Sequence, residues 1–313
     1  MSTTRETIAG TDKYARDPMD SLVCGLIGSG ISASMTPAMH EREGRRQGLT
    51  YAYRIIDTDV TGADAEDFPR LVSAAAELGF RGLNITHPYK QSVVPLLDSL
   101  SPDAARLGAV NTVLFRDGQS IGYNTDSSGF GASLERGLPD ADLTSVVQIG
   151  AGGAGIAVAY ALMAAEVGTL TIIDTDPRRA SQTVDLLNEA FPGRTVTTST
   201  VLHGPAAISS ATGLVNATPM GMTAHPGTPV SVDCLRSDLW VADIVYRPAE
   251  TELIAAARSI GARVLSGTGM AVHQAVDAFE IFTGLPANAE AMAAHMRAML
   301  KTERAGKLKA VDR

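Results

Sequence analysis

Cysteine and tryptophan are scarce in this chain, and long apolar runs and an excess of basic charge are missing; each shortage excludes a class of protein. Two cysteines, Cys24 and Cys234, and one tryptophan occur among 313 residues. So few cysteines, each beside an apolar run, cannot make a disulfide framework and read as packing residues in a reducing compartment. Acidic residues outnumber basic ones, 34 to 26, for a formal net charge of −8, the opposite of the basic footprint that nucleic acid attracts. No nucleic-acid partner is expected. No segment offers the uninterrupted apolar span of a membrane helix, and the opening MSTTRETIAGTDKYARDPMD lacks the apolar stretch of a signal peptide. A cytoplasmic protein with no membrane partner is the expectation. The six histidines show no ligand spacing, so no metal is expected.

What is present is an ordinary globular composition, 45% hydrophobic, in a chain long enough for two domains or one large one. Short apolar runs alternate with helical patterns, which predicts an α/β architecture. SLVCGLIG, TYAYRIID and RGLNIT read as strands, with DAEDFPRLVSAAAELGF helical between the last two. AVNTVLFRD and QSIGYN read as a hairpin about Asp117 and Gly118, a dipeptide that favours tight turns. A second alternation begins at TSVVQIG and passes through AGIAVAYALMAAE, LTIID, PRRASQTVDLLNEAF, LVNAT, LWVADIV and ETELIAAARSIG. It predicts a parallel sheet wrapped by helices. GMAVHQAVDAFEIFTGL and NAEAMAAHMRAML are helical by apolar spacing.

Within the second unit, VVQIGAGGAGIAVAYAL sets glycines at 150, 152, 153 and 155 between a strand and a helix. Missing side chains let backbone amides approach a pyrophosphate, and a helix N-terminus favours its charge. The strand, turn, helix and strand context makes this a dinucleotide-binding signal rather than an ordinary tight turn. Asp174 ends LTIID, 24 residues after Gly150 (174 minus 150). A carboxylate there accepts hydrogen bonds from ribose hydroxyls and repels a 2′-phosphate. NAD is therefore favoured, with NADP as the other possibility. Arg178 and Arg179 follow, either as solvated charges opening a helix after Pro177 or as contacts to adenine or a phosphate.

The most informative stretch is NITHPYK at 84–90, followed by GAVNT at 108–112 and GYNTD at 122–126. Pro88 stops the strand and can open a helix. Lys90 is then expected in that helix's first turn, where the positive end of the dipole disfavours an ammonium ion. Taken alone, Lys90 is a solvated charge, Asp126 an N-cap for the next helix, Asn111 a turn residue and Thr36 an N-cap before a proline-started helix. His87 precedes the proline and serves the turn; His40 and His273 read as structural or exposed.

NITHPYK, GAVNT and GYNTD, with GLIGSGISASMTPAMHEREG, NATPMGM, DIVYRP and SGTGMAVHQAVDAF, together resemble the shikimate dehydrogenase family, most closely its NAD-dependent quinate/shikimate branch. The likeness spans roughly residues 22–285. It implies an N-terminal α/β substrate domain and a Rossmann-type dinucleotide-binding domain, with the C-terminal helices returning to the first. The implied division is a flexible tail over 1–20, a substrate domain over 21–125 with 265–300, a nucleotide domain over 126–264 and a flexible tail over 301–313. The resemblance implies reversible NAD(P)-dependent oxidation of a ring hydroxyl of shikimate and of quinate. Lys90 is the implied proton acceptor and donor, assisted by Asp126.

By the same resemblance, Ser34 and Thr36 bind the substrate carboxylate, Thr86 and Asn111 bind ring hydroxyls, and Tyr246 and Gln274 complete the substrate contacts. Gly150, Gly152, Gly153, Ala154, Asp174, Arg179, Ile244 and Gly267 contact the cofactor. Usual members have two serines where this chain has Ser34 and Thr36, and NADP-dependent members carry a basic clamp where it has Asp174. Both departures point to the quinate/shikimate branch. The implied partners are shikimate, quinate or their dehydro forms, bound by a monomer or homodimer. Quinate use would mean catabolism and shikimate formation aromatic biosynthesis. Two other readings remain: a non-catalytic dinucleotide-binding regulator of the same fold, and a dehydrogenase of a related cyclitol acid.

Overall fold

The computed structural model describes residues 21–311. Its chain builds two six-stranded sheets. The first contains β1 (Ser21–Gly28), β2 (Thr50–Asp57), β3 (Gly82–Ile85), β4 (Ser99–Leu100), β5 (Thr112–Arg116) and β6 (Gln119–Tyr123), in the order β2-β1-β3-β5-β6-β4. Only β5 runs against its neighbours. The expected hairpin joins β5 to β6, with Asp117 at φ 53° and Gly118 at φ 74°. Left-handed backbone at both positions matches the twist of the flanking strands.

The second sheet contains β7 (Ser145–Ile149), β8 (Thr169–Ile173), β9 (Thr195–Ser199), β10 (Gly213–Asn216), β11 (Trp240–Asp243) and β12 (Val264–Ser266), all parallel, in the order β12-β11-β10-β7-β8-β9. Strand order reverses between β7 and β10, which opens a crevice at their carboxyl ends. Its central strands β7, β10 and β11 are buried on both faces, so they read as continuous apolar runs. Leu162, Leu170 and Ile172 pack on one side, and Val147, Leu214 and Val241 on the other.

The helices are α1 (Thr36–Arg46), α2 (Thr58–Thr61), α3 (Phe68–Glu77), α4 (Pro102–Leu107), α5 (Thr125–Gly137), α6 (Gly153–Ala164), α7 (Pro177–Ala190), α8 (Gly204–Ser209), α9 (Glu252–Ser259), α10 (Thr268–Thr283) and α11 (Ala289–Val311). The sequence reading did not separate β4, β9, β12, α2, α4 or α8. In β9, TVTTS, only Val196 is buried, so the apolar signal is weak and the strand is fixed by its pairing with β8.

Helix α10 returns to the first sheet, where Phe279 and Phe282 pack with Cys24, Tyr51 and Tyr53. Cys24 and Cys234 are both free; burial pushes the Cys24 thiol up to about 12, and it accepts the Tyr51 hydroxyl at 3.1 Å. His40 lies fully buried among the same rings, its value lowered to about 3 by burial, which is the structural role expected of it. Residues 1–20, read as a tail, lie outside the described residues. The second polar segment differs from expectation. From 301 the chain continues helix α11 as far as Val311, because LKTERAGKLKAV is rich in helix formers, and Glu303 within it pairs with Arg247 at 2.9 Å.

Two contacts set the geometry of the site. Helices α5 and α10 touch at Gly129, where an added Cβ would stand 2.8 Å from the Gln274 Cγ, and at Gly269, where it would stand 2.2 Å from the Ser133 Oγ. Glu43 on α1 is buried, with its carboxylate taking the Arg46 guanidinium, the Gln47 amide and the Asn288 backbone amide. It therefore ties α1 to the start of α11. Burial pushes this acid up, but the donors from Arg46, Gln47 and Asn288 outweigh it and hold it below 4.5. A depressed folded value means stability present above 4.5 and lost as pH falls through the folded value. Glu43→Gln should accordingly lower the melting temperature at neutral pH, with the gap to the parent closing as pH drops below 4.5. Melting curves of both proteins across that range check this, and a gap independent of pH would remove the charge from the account.

Candidate functional site

Strand β3 delivers the chain to Thr86, whose amide donates to the Ile27 carbonyl at 3.0 Å. The helix expected from Pro88 does not form. A run of turns follows, and the only helical piece is a 3-10 turn over Val94–Leu96. The reason is in the hydrogen bonds. The Lys90 carbonyl accepts from Val110 at 2.8 Å, while the Val94 amide, its partner in a helix, donates to Gln91 at 3.2 Å. No helix terminus therefore acts on Lys90. The segment is instead held by Tyr89, stacked on Phe68 with centroids 4.2 Å apart and donating its hydroxyl to Thr58 at 3.2 Å.

The Lys90 Nζ stands 2.6 Å from the Asp126 Oδ2, with side-chain exposures of 16% and 4%. Gln274 on α10 donates from Nε2 to Oδ1 of the same carboxylate at 2.6 Å. Asp126 lies in the first turn of α5, where its charge suits the helix dipole, but Asn124 rather than Asp126 is the N-cap. The Asn124 side chain accepts the Asp126 amide at 3.1 Å. Asn111 is buried; its Oδ1 accepts the Thr125 amide at 2.8 Å and the Thr112 hydroxyl at 3.0 Å, and its Nδ2 donates to the Thr125 Oγ1 at 3.0 Å. It thus fixes the start of α5, leaving a single amide hydrogen without a bond of its own. The structure joins Lys90, Asp126 and Gln274 in one hydrogen-bonded network, with Asn111 bonded to Thr125, the residue before Asp126.

A second group forms around the loop after β1. Thr36 is the first residue of α1 and not its cap; Met35 holds that position with no side-chain cap bond. The Ser34 hydroxyl donates to the Thr36 Oγ1 at 3.2 Å and accepts the Thr36 amide at 3.3 Å. Tyr246, beyond β11, stands near Ser34, and burial raises its phenol above 10.0. The neighbouring Arg247 donates to the Ala33 carbonyl and forks onto Glu303. Thr86 is half-buried, its methyl 2.3 Å from where a Gly28 Cβ would stand. The loops after β1 and β3 meet where the Ser29 amide donates to the His87 carbonyl at 3.0 Å. Sequence reasoning missed Arg247, Glu303 and Thr125, because none belongs to a local pattern that marks chemistry.

In the second half, the glycines divide by role. Gly150 has φ +100° and Gly155 would set a Cβ 2.4 Å from the Gly150 carbonyl oxygen, so both are required by the turn itself. Gly152 and Gly153 face open space, and α6 begins at Gly153 behind the N-cap Gly152, which offers no side-chain cap. Its first amides, including that of Ala154, are therefore available to an anion. Gln148, fully buried, donates to the carbonyls of Gly150 and Gly155 at 2.8 Å each and braces the turn from behind.

Asp174, directly after β8, accepts the Ala151 amide at 2.7 Å and the Asp176 amide at 2.8 Å. It lines a cavity of about 310 Å³ at the strand ends, with Gly150, Thr175, Pro205, Thr218 and Val230. Uncapped amides, glycines open on one side and a carboxylate at the cavity wall fit a dinucleotide. Arg178 and Arg179 are both exposed, and Arg178 pairs with Asp176 at 3.2 Å. Ile244 and Gly267 meet by close packing, since a Cβ on Gly267 would stand 2.2 Å from the Ile244 carbonyl oxygen. Helix α10 starts there, so Gln274 lies about 10 Å along the same rigid helix, at roughly 1.5 Å per residue.

Comparison with known proteins agrees with this geometry. Residues 26–113 match the shikimate dehydrogenase substrate binding domain, and residues 267–297 match the shikimate 5′-dehydrogenase C-terminal domain. The chain is 53% identical over 284 residues to a shikimate dehydrogenase (NADP(+)) of Arthrobacter sp. (strain FB24), covering 91% of this chain and 97% of the relative. It is 55% identical over 268 residues to a quinate/shikimate dehydrogenase (NAD(+)) of Corynebacterium glutamicum (strain R), covering 85% and 94%. Among solved structures, the quinate dehydrogenase from Corynebacterium glutamicum in complex with NAD superposes with a TM-score of 0.86 at 52% identity, covering 89% of this chain and 99% of that one.

The two kinds of glycine can be told apart by experiment. Gly155→Ala should lower the melting temperature, because its methyl meets the Gly150 carbonyl. Gly152→Ala should melt like the parent yet weaken dinucleotide binding in a fluorescence titration with NADH. Equal melting losses in both variants would contradict the division.

Proposed function

We propose, from the premise that the chain belongs to the shikimate dehydrogenase family, that Lys90 and Asp126 carry its chemistry: reversible NAD(P)-dependent oxidation of a ring hydroxyl of shikimate, to 3-dehydroshikimate, and of quinate, to 3-dehydroquinate. The nicotinamide, when bound, takes the hydride at C4. As that hydride leaves, the hydroxyl proton must leave too, and Lys90 receives it or, in reverse, supplies it. Asp126 keeps the amine in place through its 2.6 Å contact, and Gln274 steadies the other carboxylate oxygen at 2.6 Å. The single observation carrying this reading is the convergence of amine, carboxylate and amide from three separate segments.

The remaining roles follow from position. Ser34 and Thr36 present linked hydroxyls for the substrate carboxylate, with Tyr246 beside them, while Thr86, Asn111 and the free part of the Gln274 amide serve the ring. Quinate carries an extra hydroxyl beside its carboxylate, and Thr36 helps set a pocket shape that admits it. On the cofactor side, Gly152, Gly153 and Ala154 offer amides to the pyrophosphate above the turn shaped by Gly150, Asp174 takes the ribose, Arg179 lies near the adenine end, and Ile244 and Gly267 flank the nicotinamide end. Asp174 repels a 2′-phosphate, so NAD is the preferred cofactor. We assign residues 21–125 with 265–300 to the substrate unit and 126–264 to the nucleotide unit, in a cytoplasmic monomer or homodimer.

Lys90→Ala should lower kcat by roughly 10²–10⁴-fold if proton transfer is its main role, with an unchanged circular dichroism spectrum. Near-normal turnover in a folded variant would end the assignment. In steady-state assays with shikimate and quinate, kcat/KM should be higher with NAD than with NADP, and the reverse order would refute the role given to Asp174.

A further inference from the structure

Asp57 closes β2 and is 5% exposed, yet it has no part in the roles above. Its Oδ1 accepts the Gly30 amide at 3.0 Å and the Asp59 amide at 3.2 Å. Its Oδ2 accepts the amides of Ile31 and Ser32 at 2.9 and 2.8 Å and the Ser32 hydroxyl at 2.6 Å. Burial pushes this acid up, but the Ser32 donors and the amides of Asp59 and Gly30 outweigh it and hold it below 3.8. Successive amides converging on one anion form a nest that would suit a free carboxylate. Here the protein fills that nest with its own.

The same amides lead to Ser34. Ile31, held by its N–H on Asp57, accepts the Ser34 amide at its carbonyl at 2.9 Å. Ser34 is then linked to Thr36 through both its hydroxyl lone pair and its proton. We propose that Asp57 is a positioning residue for the substrate: its carboxylate fixes the loop over 29–36 so that Ser34 and Thr36 present their hydroxyls in one arrangement, and it fills a nest that would otherwise compete for the substrate carboxylate. This rests on the reading of Ser34 and Thr36 as the substrate-carboxylate contacts. The base of the loop has independent ties, since Thr58 donates to the Gly28 carbonyl at 3.2 Å and Ser29 donates to Asp59 at 2.7 Å.

Steady-state kinetics of Asp57→Ala with shikimate or quinate and NAD test the proposal. KM for the ring acid should rise roughly 10- to 100-fold, the loss of about one charge-assisted hydrogen bond, while kcat and the KM for NAD stay near the parent values. Added formate, which can refill the nest, should bring the ring-acid KM back down. Ser32→Ala removes only the hydroxyl donor on an exposed residue; it should raise the same KM less and show no response to formate. This second variant decides the matter if Asp57→Ala does not fold, and an unchanged KM there overturns the proposal. A parental KM in folded Asp57→Ala overturns it as well, as does a loss shared among kcat and both KM values that formate does not reverse. Ser34→Ala in the same assay separates the layers. An unchanged KM there sinks the reading of Ser34, whereas a raised one beside a parental Asp57→Ala sinks the positioning role alone.

Discussion

A buried carboxylate is stable only when its oxygens are met by donors, and Asp126 is met on both sides by groups far apart in the sequence. Lys90 arrives from the loop after β3 and Gln274 from α10, each at 2.6 Å. The Gln274 contact cannot form unless α10 lies close against α5. That closeness depends on the bare backbone at Gly129 and Gly269. Two missing methyl groups thus decide whether the Gln274 amide can join the amine and the carboxylate.

The nucleotide half uses absence differently. At Gly150 and Gly155 the backbone itself leaves no space for a side chain, whereas at Gly152 and Gly153 the space is open. A sequence motif treats all four alike. Only the structure separates those that make the turn from those that leave room above it, with Gln148 holding the turn's carbonyls from beneath.

Much of this was legible in the residues. Strand and helix periods gave most strands of both sheets and the hairpin at Asp117, because a buried parallel strand or a Gly-marked turn leaves a local trace. NITHPYK and GYNTD held Lys90 and Asp126, and SGTGMAVHQAVDAF held Gln274, the residues that meet in the site. The local geometry of Lys90 was not legible, since proline can open a helix but cannot ensure one when a distant residue, Val110, takes the needed carbonyl. Caps were misplaced by one or two positions at Thr36 and Asp126 for a similar reason: several polar residues stood together, and tertiary contacts selected among them. Asp57 was invisible because its donors come from a loop some 25–27 residues earlier in the chain. The helical run past 301 was read as a tail because polarity suits a free end as well as a surface helix.

Arg247 joins the Ala33 carbonyl, 214 residues away in sequence, to Glu303, 56 residues away. The last helix is therefore a strut rather than an appendage. Shortening the chain just before Glu303 would leave the guanidinium with one anchor instead of two, beside the serine whose hydroxyl faces Tyr246. A trimmed form of this protein, of the kind often made to aid crystal growth, would alter the wall of the very cleft it was made to reveal.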